Sequence, residues 1–164
     1  MSISVTNAQG TQVWIADTAN AAISTYADFD DGNGGGVKAS SKQIGCIQDI
    51  GSLSETKAVQ EYTCLSSDES TKATGSTKRG NFTVSMLFDA LDAAGQAELR
   101  SLFATDSTRT LVVQLNDNAG TSPTIIVFDG FVSGQEIAIQ KDNAVMINST
   151  VEIASAINTI NAAA

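Results

Sequence analysis

The sequence contains no histidine, and that absence removes a large part of enzyme chemistry. Ser-His-Asp and Cys-His catalysis both need an imidazole that titrates near neutrality, and histidine is also the commonest metal ligand. Cysteine is nearly absent: Cys46 and Cys64 alone cannot complete a tetrahedral zinc site. In a cytosolic product they read as two small thiols rather than a bridge. Cations are scarce, with 9 Lys and Arg against 18 Asp and Glu and a net charge of −9. Gripping nucleic acid depends on Lys and Arg displacing counterions, so such a chain is a poor DNA reader but suits a surface that DNA slides past. Aromatics are few, one Trp, two Tyr and six Phe, and most fall at apparent core positions, leaving little of a binding platform. Long apolar runs are missing as well. The longest, TIIVFDGFV from Thr124 to Val132, is interrupted by Asp129 and far short of a membrane span. MSISVTNAQG lacks the basic start and apolar core of a secretory signal. The expectation is a soluble chain with no membrane insertion, long enough at 164 residues for one domain spanning 1–164.

What is present is a series of short period-two segments. TQVWIAD puts Val13 and Ile15 on one strand face and Trp14 on the other. A long loop over about 18–41 contains DDGNGGG, whose glycines disfavour regular structure. A calcium-binding reading of that loop fails because glycine falls at the fifth ligand position and no Glu at the twelfth; a flexible, exposed loop is expected. KQIGCIQDIG resumes strand character. After a polar stretch, NFTVSMLF alternates Phe82, Val84, Met86 and Phe88. In DALDAAGQAELRSLF the residues Leu91, Gly95, Leu99, Leu102 and Phe103 share a helical face, predicting a helix over about 90–104 capped by Asp89 or Asp92. TLVVQL and TIIVF then form a hairpin across NDNAGTSP, and AVMINSTVEI is a further strand with Val145, Ile147, Val151 and Ile153 on one face. AINTINAAA, within 155–164, reads as a fraying tail. Many short strands with one helix predict a mostly β fold, a β-sandwich or partly closed barrel with one flanking α-helix.

Chemistry is hard to place on this pattern. GSTK near Gly75 imitates a phosphate-binding loop, but Lys78 follows Thr77 rather than glycine, and the second glycine is misplaced. Paired carboxylates such as Asp30 and Asp31 lie in polar loops without a sign of burial. No enzyme, metal or cofactor is expected. The unexplained feature is the polar arm over about 53–79. It holds four acids, Glu55, Glu61, Asp68 and Glu69, and four bases, Lys57, Lys72, Lys78 and Arg79, with Tyr62 and Leu65 as its bulky groups after Leu53. Loops this long inside compact domains are usually functional or disordered. A segment bearing both charge signs can pair with copies of the same chain, which a single-sign run could not.

The order TQVWIAD, loop, KQIGCIQDIGSLSE, arm ending TGSTKRG, NFTVSMLF, DALDAAGQAELRSLF, TLVVQL and TIIVFDGFVSGQEIAIQKDNAVMINSTVEI resembles the major tail-tube protein of long-tailed, lambda-type bacteriophages, from about Thr11 to Ile153. The resemblance implies a structural virion protein whose hexameric rings stack into a hollow tail tube. It implies assembly in the bacterial host cytoplasm and a place in the virion tail. The implied partners are copies of itself, the tape-measure protein, and tail-terminator and tail-tip proteins, with DNA passing through unbound. The arm would be mobile in the free subunit and order between copies. An acidic lumen would keep phosphates from sticking, with Glu136 and Glu152 as candidate lumen residues if the strand register holds. The competing expectation is a monomeric β-sandwich binding or attachment module.

Overall fold

The computed structural model describes residues 9–63, 69–92, 94–117 and 122–162. Its centre is one antiparallel sheet. The strands are β1 (Gln12–Ile15), β2 (Lys42–Gln43), β3 (Ile47–Ile50), β6 (Asn81–Leu87), β7 (Arg109–Gln114), β8 (Ile125–Ala138), β9 (Met146–Ile153) and β10 (Asn158–Ile160), in the order β2-β1-β7-β8-β9-β6-β3 with β10 added to β8. A separate ribbon pairs β4 (Glu55–Thr63) with β5 (Ser70–Arg79). The helices are α1 (Tyr26–Phe29) and α2 (Gly95–Thr105).

The long β8 joins two halves. Its first part pairs with β7, from Ile125 opposite Gln114 to Gly130 opposite Arg109, and its second part pairs with β9, from Gly130 opposite Ile153 to Ala138 opposite Met146. The halves turn their apolar faces toward one core, which takes Val13 and Ile15 from β1, Leu111 and Val113 from β7, Phe82, Val84 and Met86 from β6, and Ile147 and Val151 from β9. Phe82 and Phe128 meet across it edge to face, with centroids 5.5 Å apart, a favoured arrangement of aromatic quadrupoles. The period-two alternation of these strands is what permits a buried and a solvated face on one sheet.

Helix α2 contributes Leu99 and Leu102 to that core. It begins at Gly95, later than the periodicity suggests, because Asp92 bends the chain first: its carboxylate accepts from the backbone N–H of Ala94 (3.0 Å), Gly95 (2.9 Å), Gln96 (3.1 Å) and Gly45 (3.3 Å). Burial pushes this carboxyl up, but the four donors outweigh it and hold it below the ordinary value. A side chain at Gly95 would place Cβ 2.1 Å from the Gln43 carbonyl oxygen, so the helix start lies on the backbone of 43–44. Leu91 therefore precedes the helix and is 91% exposed, and Phe103 lies on its outer side, 45% exposed. Both correct the expected apolar stripe.

The segment expected as a flexible loop over 18–41 covers the outer face of the first half. Phe29 is fully buried there with Ile23, Val112, Ile125 and Val127, and Trp14 and Tyr26 pack edge-on to it at 6.2 and 6.3 Å. Thr25 and Asp28 cap α1 reciprocally. Lys38 lies over the Trp14 ring, 5.1 Å from its centroid, and 2.6 Å from the Asp30 carboxylate. The DDGNGGG turn stays largely in solvent, with Asp31 accepting from the N–H of Asn33 and Gly35 at 2.8 Å. The tail expected to fray forms β10 instead: Asn158 to Ile160 pair with Val127 to Ile125 of β8, where β9 has ended and left backbone groups open, and Ile160 packs on the same outer cluster.

Candidate functional site

The polar arm is a two-stranded ribbon, not a structureless loop. Thr-rich strands tolerate this conformation with neither face buried. Glu55 is opposite Arg79, Thr56 opposite Lys78, Lys57 opposite Thr77, Glu61 opposite Lys72, and Tyr62 opposite Thr71. A register shift between Lys57 and Val59 sets two residues of β5, Gly75 and Ser76, against Ala58. Along β4, Glu55, Lys57 and Glu61 fall on one face with Arg79 and Lys72, while Tyr62 and Lys78 lie on the other. Every residue of β4 and β5 except Ala58 is exposed. Glu69 precedes β5 and is exposed; Asp68 and Cys64 lie outside the described residues.

The arm's charges divide into two groups. Glu55 and Arg79 form an ion pair of 3.2 Å at the base, and Glu55 also accepts from the Ile157 N–H at 3.2 Å, which fastens the ribbon to the segment before β10. Farther out, Glu61 accepts from the Ser70 hydroxyl and the Tyr62 hydroxyl donates to Gln60. Exposed pairs of this kind contribute about 0–1 kcal/mol each, and an isolated two-stranded hairpin is marginally stable in water.

The second site is the outer face of the half β8-β9-β6-β3. A shift between Val132 and Gly134 inserts Ser133 as an extra residue in β8, so Phe131 and Glu136 point the same way although their numbers differ in parity. Phe131 is opposite Glu152 and Glu136 opposite Asn148. Both candidate lumen glutamates thus share one face. Asp49 joins them: Asp49 pairs with Ser85, Ser85 with Asn148, and Asn148 with Glu136, one row across four strands. Thr83 and Thr150 form the next row. No lysine or arginine stands at the outward positions of β3, β6, β9 or the second part of β8. Asp49 was not singled out from the sequence, where IQDIG gives no sign that a shift between Ile47 and Asp49 turns this side chain outward.

Among the described residues no group of three or more His, Cys, Asp and Glu side chains is placed to hold a metal ion, and no helix is long and apolar enough to cross a membrane.

No protein-family model matches the chain, and no curated protein matches it by sequence. Solved structures do. A chain of the anti-feeding prophage (AFP) baseplate, 6-fold symmetrised, superposes with a TM-score of 0.68 at 11% identity, covering 98% of each chain. A chain of the sheath/tube terminator of an extracellular contractile injection system, PVC, gives 0.69 at 11% identity over 97% of this chain and 99% of that one. The SPP1 tail tube gives 0.60 at 12% identity over 92% of this chain and 77% of that one. Identities this low speak to architecture. The mostly β chain, with one large antiparallel sheet and few helices, has the fold found in phage tail tubes and in contractile injection systems.

Proposed function

We propose that this chain is the repeating subunit of a hollow tube in a phage tail or a related particle, a structural protein and not an enzyme. Copies assemble into hexameric rings, the rings stack, and the lumen is lined by the outer face of β8-β9-β6-β3. The observation that carries the reading is that face: Asp49, Glu136 and Glu152 stand among Thr83, Ser85, Asn148 and Thr150, with Phe131 and the row Leu87, Met146 and Ala138 as its apolar part and no cation at its outward positions. Such a surface repels a passing polyanion and offers a phosphate nothing to pair with. Shared architecture with the SPP1 tail tube supports the same reading, as does the sixfold symmetry of the AFP baseplate.

The ribbon of β4 and β5 is the arm that reaches a neighbouring copy. Its marginal intrinsic stability and exposed Val59 and Tyr62 suit an element completed by a partner. The remaining partners are the tape-measure protein within the tube and terminator and tip proteins at its ends; DNA passes without specific binding. The tube resides in the virion tail after assembly in the host cytoplasm. Electron microscopy of the concentrated purified protein tests the proposal. Rings or hollow filaments are expected, and a protein that stays monomeric at every concentration overturns it.

A further inference from the structure

The sequence holds three places where Asn or Asp precedes glycine: Asp31-Gly32, Asn33-Gly34 and Asp129-Gly130. At such a pair the side-chain carbonyl carbon and the glycine backbone nitrogen can close a five-membered ring, and glycine, lacking Cβ, leaves the approach unhindered. The fold treats the three pairs differently.

Asp129-Gly130 is locked. The Asp129 carboxylate accepts from the Thr110 hydroxyl and the Asn20 N–H, and Gly130 is paired with Arg109 on one side and Ile153 on the other. Asp31-Gly32 is held as well: the Asp31 carboxylate accepts from the N–H of Asn33 and Gly35, and the Gly32 N–H donates to Asp30 at 3.1 Å. An ionised carboxylate is in any case a far poorer electrophile than an amide. Asn33-Gly34 differs on each count. Both residues are exposed. The Asn33 amide donates through Nδ2 to the Asp31 carbonyl at 3.3 Å, which engages the leaving nitrogen and not the carbonyl carbon. Among the described residues nothing accepts from the Gly34 N–H, although the N–H groups on either side of it are both tied to Asp31. Gly34 has φ +82°, and a Cβ placed on it would meet nothing within 4 Å.

We propose that Asn33 is a site of spontaneous deamidation through a succinimide closed by the Gly34 nitrogen. Hydroxide takes the proton from the Gly34 nitrogen, which bonds to Asn33 Cγ; the Cγ–Nδ2 bond breaks, and Nδ2 leaves as ammonia with a proton from water, which returns the hydroxide. Water then opens the ring at one of its two carbonyls. Breaking the bond from the Gly34 nitrogen to Cγ gives aspartate. Breaking its bond to the main-chain carbonyl carbon of residue 33 gives isoaspartate, with the chain rerouted through Cβ and Cγ. No oxidant or reductant takes part. Either product adds one carboxylate, next to Asp30 and Asp31, to a chain whose net charge is already −9.

The change stays local. Gly36 lies against the backbone of Phe29, where an added Cβ would stand 2.5 Å from the carbonyl oxygen, so the chain is seated again two residues beyond Gly34. The extra main-chain atom of isoaspartate falls between the two residues whose N–H groups Asp31 holds, and the Gly35 bond is the contact that it disturbs.

Ageing the purified protein in heavy-oxygen water at mildly alkaline pH, followed by peptide mapping, tests the site. Amide loss with incorporated label is expected at residue 33, isoaspartate forming the larger share, with no change at Asn20, Asn148 or Asp129 over the same interval. Conversion at Asn33 no faster than at Asn20 or Asn148 overturns the proposal. Aspartate without isoaspartate indicates direct hydrolysis and overturns the ring closure. Independently, Asn33→Gln, whose extra methylene would make the ring six-membered, keeps the wild-type melting curve and slows the appearance of an acidic band on isoelectric focusing at least tenfold; a band arising at the wild-type rate places the reaction elsewhere.

Discussion

Thr110 on β7 and Asp129 on β8 stand opposite each other, and the threonine hydroxyl donates to the aspartate carboxylate on the sheet face turned away from the main core. The same carboxylate accepts from the Asn20 N–H at 3.1 Å, and the threonine oxygen accepts from the Ala21 N–H at 2.9 Å. The Asp129 N–H in turn donates to the Ser155 hydroxyl at 2.7 Å. One cross-strand pair thus holds the start of the covering segment, while the aspartate backbone holds the approach to β10. Asp129→Ala leaves the Asn20 donor and the Thr110 hydroxyl without this acceptor, a loss of about 1–3 kcal/mol. The melting temperature falls accordingly, and amide exchange at Asn20 speeds up; an unchanged exchange rate there refutes the anchoring role.

Leu99→Ala and Phe103→Ala separate the two sides of α2. Leu99 is buried in the core, and its truncation costs on the order of 2–5 kcal/mol. Phe103 is nearly half exposed, so its truncation costs clearly less, and Leu91→Ala stays within about 0.5 kcal/mol. Chemical denaturation of the three variants checks the ranking.

Hydrogen bonds from the backbone N–H of Ser24 and Thr25 and from their hydroxyls hold the Asp28 carboxyl down to about 2, from 3.8. A carboxyl lowered on folding stabilises the native state above its unfolded value, and that contribution is lost as pH falls from about 3.8 through about 2. A carboxyl carbon titration by NMR is expected to show a midpoint near the lower figure. A midpoint at the free value would mean that the α1 cap is not formed in solution.

Replacing 56–78 with a short glycine-serine turn removes almost the whole ribbon while retaining the Glu55–Arg79 pair. The ribbon contributes no residue to either apolar cluster. Circular dichroism and melting are therefore expected to report a folded monomer, while tubes disappear from micrographs. Loss of folding, or tubes of normal appearance, would contradict the assigned role.

Like charges that every copy carries on the proposed lumen face, Asp49 and Glu136 among them, predict that assembly strengthens with ionic strength. Screening reduces the repulsion between copies, with a Debye length of about 10 Å at 0.1 M salt. Asp49→Asn/Glu136→Gln is expected to assemble at lower salt than the wild type and with a shallower salt dependence. Identical salt curves for the two proteins would place these carboxylates away from any contact between copies.

Much of this architecture is legible in the residues wherever one face is buried. The alternation of Phe82, Val84 and Met86 gives the core face of β6 directly, and Leu99 and Leu102 give the inward side of α2. Phe88 breaks the pattern because β6 ends at Leu87, so the next apolar residue is carried out of the sheet. The ribbon is illegible for the converse reason: with both faces in solvent, no period-two pattern is needed, and its strands are held by backbone pairing and cross-strand contacts. β10 is equally hidden, because Asn158 and Thr159 pair through their backbones with a stretch of β8 that becomes available only after β9 ends. Of the candidate surfaces, Glu152 follows from strand alternation, whereas the outward placing of Glu136 and Asp49 depends on the shifts in β8 and β3 and on register, which are properties of distant segments meeting.

The extra residue in β8, Ser133, acts as an address label for everything beyond it. Pairing Ser133 regularly with β9, with no shift, would send Glu136 toward the apolar interior and turn Ile137 onto the acidic face, whereas deleting Ser133 together with the shift would leave both as they are. One unpaired residue thus decides which side of the last strand turn is greasy and which is wet. The two surfaces are consequently inherited as a linked pair, and neither can be inverted there without the other.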